Sequence, residues 1–186
     1  MAETPSKMKP LGFKAPDFKL MDVISGQVRS LKELSSEKAT VIMFICNHCP
    51  FVKHVNAQLV KLANDYIPRR ISFIAISSND AELHPEDSPV KMKEYAARLG
   101  YPFPCLYDET QEVAKAYDAA CTPDFFIFDG KMACMYRGQL DDSRPSNGKP
   151  VTGNDIRNAL DALLTGKEVS KDQKPSIGCN IKWKRG

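Results

Sequence analysis

Two stretches of the chain are apolar almost without interruption, Thr40-Val-Ile-Met-Phe-Ile45 and Ile71-Ser-Phe-Ile-Ala-Ile76. Short runs rich in β-branched residues suit strands covered on both faces, as in the middle of a parallel sheet. Between them, Val52, Val55, Leu59, Leu62 and Tyr66 recur at spacings of three and four, one helix face that ends near Pro68. Ser88-Pro89 opens a second helix, with Ser as N-cap and Pro at the first helical position, and Gly100 stops it. A short helix is expected over about 111–117 and a last one over about 154–164. Phe18–Leu20 and Gln27–Leu31 flank Ser25-Gly26 as an N-terminal β-hairpin. Phe125–Phe128 and Met132–Tyr136 flank Asp129-Gly130 as a second, with an Asp-Gly turn signature. Alternating strand and helix patterns predict an α/β layer architecture.

The length, 186 residues, suits one domain that needs no disulfide staples. The pattern places an N-terminal arm at 1–10, the domain at 11–166 and a basic tail at 167–186. With 26 Lys+Arg against 23 Asp+Glu, and no basic stripe outside that tail, nucleic acid is not an expected partner. The longest apolar run, Val41 to Cys46, is far short of the ~20 residues that span a bilayer, so no membrane partner is expected. The N-terminus lacks an apolar signal region, which makes a reducing cytoplasmic location the expectation.

In that setting the six cysteines matter for their placement. Cys46-Asn47-His48-Cys49 stands between an apolar strand and an amphipathic helix. Helix N-terminal amides and the helix dipole favour a thiolate there, and a second cysteine three residues on can close a disulfide with the first. His48 adds an N–H or a positive charge beside the pair. Cys46 and Cys49 are therefore the candidate catalytic residues and His48 a supporting one. A CxxC can also be half of a metal site. Cys46, Cys49 and Cys121, with His48 or Cys179, could supply thiolate-rich ligands for zinc or copper(I). Cys105 and Cys134 read as small core residues. Cys121 immediately precedes Thr122-Pro123. Cys179 lies in the tail segment Ser176-Ile-Gly-Cys-Asn-Ile-Lys-Trp183, where packing and a redox role are equally open. His54 and His84 read as solvated.

Gly12-Phe-Lys-Ala-Pro-Asp-Phe18, the strand–Cys46-Asn-His-Cys-Pro50–helix unit, Tyr101-Pro-Phe-Pro-Cys-Leu-Tyr-Asp108 and Cys121-Thr-Pro-Asp-Phe-Phe-Ile-Phe-Asp-Gly130 together resemble the redoxin branch of the thioredoxin-like superfamily. Within it, the chain is similar to peroxiredoxin-like proteins of the alkyl hydroperoxide reductase and thiol-specific antioxidant group. The resemblance implies a thioredoxin-like fold: a central mixed sheet of four or five strands flanked by helices, with the N-terminal β-hairpin as an extension. It makes Pro123 a cis-proline facing the CxxC, with Thr122 and Pro123 presenting backbone to a bound substrate and Cys121 in support. It implies a thiol–disulfide oxidoreductase in which Cys46 attacks and Cys49 resolves. Protein or small-molecule disulfides would be substrates and an upstream thiol the reductant, and no cofactor or metal would be required. A thiol peroxidase is the rival within the same class.

Two departures from the family pattern bear on that choice. The peroxiredoxin motif Pro-x-x-x-Thr-x-x-Cys aligns its cysteine with Cys49, but Ile42 and Cys46 stand at its Pro and Thr positions, and the usual arginine just before Cys121 is missing. Pro50 is the second departure. At the fourth position of a helix capped by Cys46 it would clash with the Cys46 carbonyl, which points to Cys49 as the N-cap.

Overall fold

The two apolar runs lie side by side at the centre of one sheet. A computed structural model of the chain describes residues 3–185. In chain order the elements are β1 (Glu3–Pro5), β2 (Lys19–Asp22), β3 (Val28–Ser30), α1 (Leu31–Leu34), β4 (Ala39–Phe44), α2 (Pro50–Tyr66), β5 (Ile71–Ser77) and α3 (Pro89–Leu99). They continue as β6 (Cys105–Tyr107), α4 (Glu112–Tyr117), β7 (Cys121–Thr122), β8 (Asp124–Asp129), β9 (Cys134–Gly138), α5 (Asn154–Leu164) and β10 (Ile177–Asn180). The main sheet has the order β3-β2-β6-β5-β4-β8-β9. Its central pairs β4–β5 and β5–β6 are parallel and its other pairs antiparallel.

The mixed α/β class is as expected, but the sheet has seven strands rather than four or five. The extra width is the expected N-terminal hairpin, β2 and β3, joined on through β6, a strand that sequence periodicity missed because its three residues follow a proline-rich stretch. Through β6 the N-terminal hairpin joins the sheet edge, with Met21 opposite Tyr107.

Side chains alternate along the central strands, and each face is buried. Val41, Met43, Phe73, Ala75, Phe125 and Ile127 point to the side covered by α2 and α5. Ile42, Phe44, Ile74, Ile76, Phe126 and Phe128 point to the side covered by α1 and α4. Burying each of these side chains other than Ala75 contributes roughly 1.5–3 kcal/mol, so the sheet is a rigid base for whatever stands at the end of β4.

The β8–β9 connection departs from the Asp-Gly turn. Met132, not Gly130, takes the left-handed conformation, with φ 59°. The Asp129 carboxylate accepts from the Lys131 and Ala133 amides, both at 2.9 Å, and so closes a longer loop.

Part of the arm and part of the tail meet. β10 lies between β1 and β7 in a separate three-stranded sheet, with Glu3 opposite Cys179 and Cys179 opposite Thr122. Gly178 makes this possible, because a Cβ there would stand 2.0 Å from the Thr122 carbonyl oxygen. Gly178→Ala is expected to push β10 off β7 and to cost at least about 1–3 kcal/mol, the usual range for overpacking. A thermal melt of the variant checks this; an unchanged Tm contradicts it.

Candidate redox site

Helix α2 begins at Pro50, and Cys49 is its N-cap with extended backbone, φ −66° and ψ 124°. Proline at the first helical position has no N–H to leave unpaired, which is why the helix starts here and not at Cys46. Cys46 sits in the turn that leaves β4. Both residues are buried, Cys46 being 3% exposed and Cys49 fully enclosed.

The structure brings four expected residues together and adds one to them. Cys46 Sγ lies 3.5 Å from Thr122 Oγ1. Cys49 Sγ lies 3.2 Å from the Thr122 carbonyl oxygen and 2.9 Å from Cys179 Sγ. The Thr122–Pro123 peptide is cis, as the resemblance implies. Thr122 is buried, however, and its strand edge is already paired with β10. Cys121 is set slightly apart. Its thiol lies 3.6 Å from the Pro123 carbonyl, and burial above all raises its pKa and keeps it protonated.

Charge is divided unequally between the two CxxC sulfurs. A hydrogen bond from the Cys46 thiol is the main stabiliser of the Cys49 thiolate. Burial opposes ionisation, while Cys179, Thr122 and the first-turn amide of Val52 favour it, and the Cys49 pKa falls to about 4. Cys46 moves the other way, well above the ordinary thiol value, because it gives its proton to that hydrogen bond, is desolvated, and faces the Asp87 carboxylate. Burial, and then Cys49, push Cys179 up to about 12. One negative charge is thus held on Cys49, with thiols on either side of it. That is the favourable helix-terminus placement of an anion.

His48 is hydrogen-bonded to Asp87 and not to a sulfur, although one ring nitrogen lies within 4.8 Å of Cys46 Sγ. Its Nδ1 is 2.5 Å from Asp87 Oδ2, and its ring stacks on His84 with centroids 5.2 Å apart. His84, expected to be solvated, therefore packs against the CxxC loop. His54 is likewise engaged, with Nε2 2.7 Å from Ser143 Oγ. The hydrogen bond to Asp87 raises the His48 pKa against the opposing effect of burial. Asp87 is fully buried, which by itself would raise its pKa, but hydrogen bonds from His48 and Asn79 outweigh burial and lower it. Its Oδ1 also accepts from the Asn47 amide at 2.7 Å and the His48 amide at 3.3 Å. Asp87 is therefore what fixes the CxxC loop. Sequence reasoning missed it because it lies some 40 positions downstream in a proline-bounded loop with no motif of its own.

The metal-ligating set differs from the one the sequence suggests. Among the described residues, Cys46, His48 and Asp87 bring one ligand atom each within 4.8 Å of the others, as do His48, His84 and Glu86. Asp87 is already committed to four donors, which makes it a positioning group for the loop more than a free ligand. A cleft of about 720 Å³ opens beside Asn47 and His48 and is walled by Lys53, Glu86, Tyr95 and Arg98.

Residues 11–137, which contain the CxxC, the Asp87 loop and the cis-proline, match the model of the AhpC/TSA family. The chain belongs to the AhpC/TSA family. Its thiol-redox character follows from that membership and from the thioredoxin-like fold. An uncharacterized conserved protein from Geobacillus kaustophilus is 67% identical over 100% of this chain and 98% of its own, with a TM-score of 0.99. A hypothetical protein from Sinorhizobium meliloti is 48% identical over 98% of this chain and 100% of its own, with a TM-score of 0.96. A putative thiol:disulfide interchange protein from Chlorobium tepidum shares the fold at 17% identity, covering 83% of this chain and 98% of its own, with a TM-score of 0.65. Among curated proteins, none matches.

Proposed function

We propose that this AhpC/TSA-family protein is a thiol–disulfide oxidoreductase that cycles Cys46 and Cys49 between dithiol and disulfide. The observation that carries the reading is the position of Cys49 at the N-cap of α2, with Cys46 in the turn just before it and both packed against the cis-proline segment at Thr122; the same surroundings lower the Cys49 pKa. Thiolate is the attacking species in disulfide exchange. The charge distribution therefore supports Cys49, rather than Cys46, as the sulfur that attacks a substrate disulfide and expels one half as a thiolate. Cys46 then passes its proton to that leaving thiolate, attacks the Cys49 sulfur of the mixed disulfide, and releases the second half. The substrate gains two electrons, and the protein is left with a 46–49 disulfide. An upstream thiol in the cytoplasm would reduce it again.

Cys46→Ser is expected to leave Cys49 able to open a substrate disulfide, while Cys49→Ser abolishes reduction of a disulfide substrate. Mass spectrometry of the oxidised wild type should find the 46–49 bridge; these two residues always unpaired under oxidant would sink the reading.

Peroxide reduction is expected to be slow. A peroxidatic site needs donors for the charge that develops on the leaving oxygen, and losing one such donor costs about 10²–10³ in rate. Here the threonine is Cys46, a weaker donor, and the arginine before Cys121 is missing. Stopped-flow oxidation by hydrogen peroxide checks this. Rates far above those of a free low-pKa thiol, lost in Cys49→Ser but retained in Cys46→Ser, would make the protein a peroxidase.

A further inference from the structure

Three sulfurs, not two, meet at the head of α2. Cys179 Sγ stands 2.9 Å from Cys49 Sγ, which is within about 1 Å of the ~2.05 Å disulfide bond length. This is not a chance approach of a loose end. β10 pairs with β7 on one side and β1 on the other. Just beyond it, the Ile181 amide donates to the Ala120 carbonyl at 3.1 Å, and the Lys182 amide to Asn79 Oδ1 at 2.9 Å. Asn79 in turn donates to Asp87, the residue that fixes the CxxC loop. Cys179 and the loop are therefore held on one connected frame. Gly178, which lets the strand lie against Thr122, sets the approach.

We propose that Cys179 is a third redox cysteine of the same centre, able to form a Cys49–Cys179 disulfide in place of Cys46–Cys49. The inference rests on the reading of Cys49 as the reactive thiolate. Two balanced exchanges follow. In the first, a substrate half bound to Cys49 is displaced by the Cys179 sulfur, leaving as a thiolate that takes the Cys179 proton. In the second, Cys179 attacks Cys49 within the 46–49 disulfide, and the Cys46 sulfur leaves and takes the proton; nothing is gained or lost in electrons. Charge orders the events. While Cys49 is a thiolate, Cys179 serves it as a thiol donor and stays protonated. Once Cys49 is bonded to another sulfur, that restraint is gone and only burial resists ionisation of Cys179. The C-terminal strand thus responds to oxidation of the CxxC.

The test uses the full chain treated with oxidised glutathione, acid-quenched, alkylated, digested without reduction and analysed by mass spectrometry. Cys46→Ser is expected to give a peptide linked through 49 and 179, with loss of the glutathione adduct at Cys49. Cys46→Ser combined with Cys179→Ser is expected to keep that adduct. A stable adduct at Cys49 in Cys46→Ser with Cys179 still free, alongside a normal 46–49 bridge in Cys179→Ser, overturns this inference and leaves the oxidoreductase reading standing. Absence of the 46–49 bridge in Cys179→Ser, with Cys49 unmodified, removes both. If circular dichroism finds the serine variants unfolded, limited oxidation of the wild type decides: a 49–179 peptide supports the inference, and its absence overturns it.

Discussion

Titrated by thiolate absorbance, the reduced protein is expected to gain one thiolate far below the ~8.5 of a free thiol, and Cys49→Ala to abolish that step. Cys46→Ala should move it upward, because the Cys46 thiol is the foremost of the groups that stabilise the charge. A thiolate stabilised in the dithiol form stabilises the reduced protein. The potential should therefore be less reducing than the approximately −270 mV of thioredoxin. Equilibration with glutathione measures it. A value at or below that of thioredoxin, or a titration with no step in the acid range, contradicts the charge distribution at the head of α2.

The second large effect belongs to Asp87. Asp87→Ala leaves the Asn47 amide, the Asn79 side chain and the His48 ring without their acceptor, the Asn79 contact in a buried setting and the other two half-buried. Removing one partner of a buried pair costs about 3–5 kcal/mol, so a large drop in unfolding free energy is expected by denaturant titration. Its pH dependence is set by both partners. The Asp87 pKa is depressed in the folded protein, so its contribution is present above the ordinary 3.8 and is lost as pH falls through the folded value. The His48 pKa is raised, so its contribution is complete below the ordinary 6.5 and is lost as pH rises through the folded value. The gap between wild type and Asp87→Ala should be widest between about pH 4 and 6.5 and narrow on both sides. A gap that does not vary with pH would falsify the pairing. The same substitution removes a carboxylate that opposes ionisation of Cys46, so its thiol should titrate at lower pH.

The central strands and the long helices were legible in the sequence because their burial pattern is local. Val52 to Tyr66 repeat along one helix face, and each residue's partner set is implied by that spacing. The N-cap at Cys49 was legible for a similar reason, since Pro50 restricts where the helix can start. What could not be read was pairing between distant segments. β6 has three residues, β7 has two, and β1 and β10 are recognisable as strands only once they lie together. The site divides the same way. Cys46, Cys49 and Pro123 announce themselves by motif. Asp87 is an acidic residue among others until the fold brings it to the Asn47 and His48 amides. His48 adjoins the cysteines in sequence, yet its ring turns to that carboxylate, a choice of partner that chain proximity does not encode.

The register of β1 against β10, with Glu3 across from Cys179, brings the first and last strands of the described chain to the redox centre. Most domains carry their ends at the surface and near one another, where additions are tolerated. Here β1 and β10 are both strands of the small sheet that also holds the cis-proline segment. A change that loosens either strand therefore acts beside the sulfurs, and the measured chemistry would carry its imprint. An attachment made at a surface loop far from this sheet preserves all three strands.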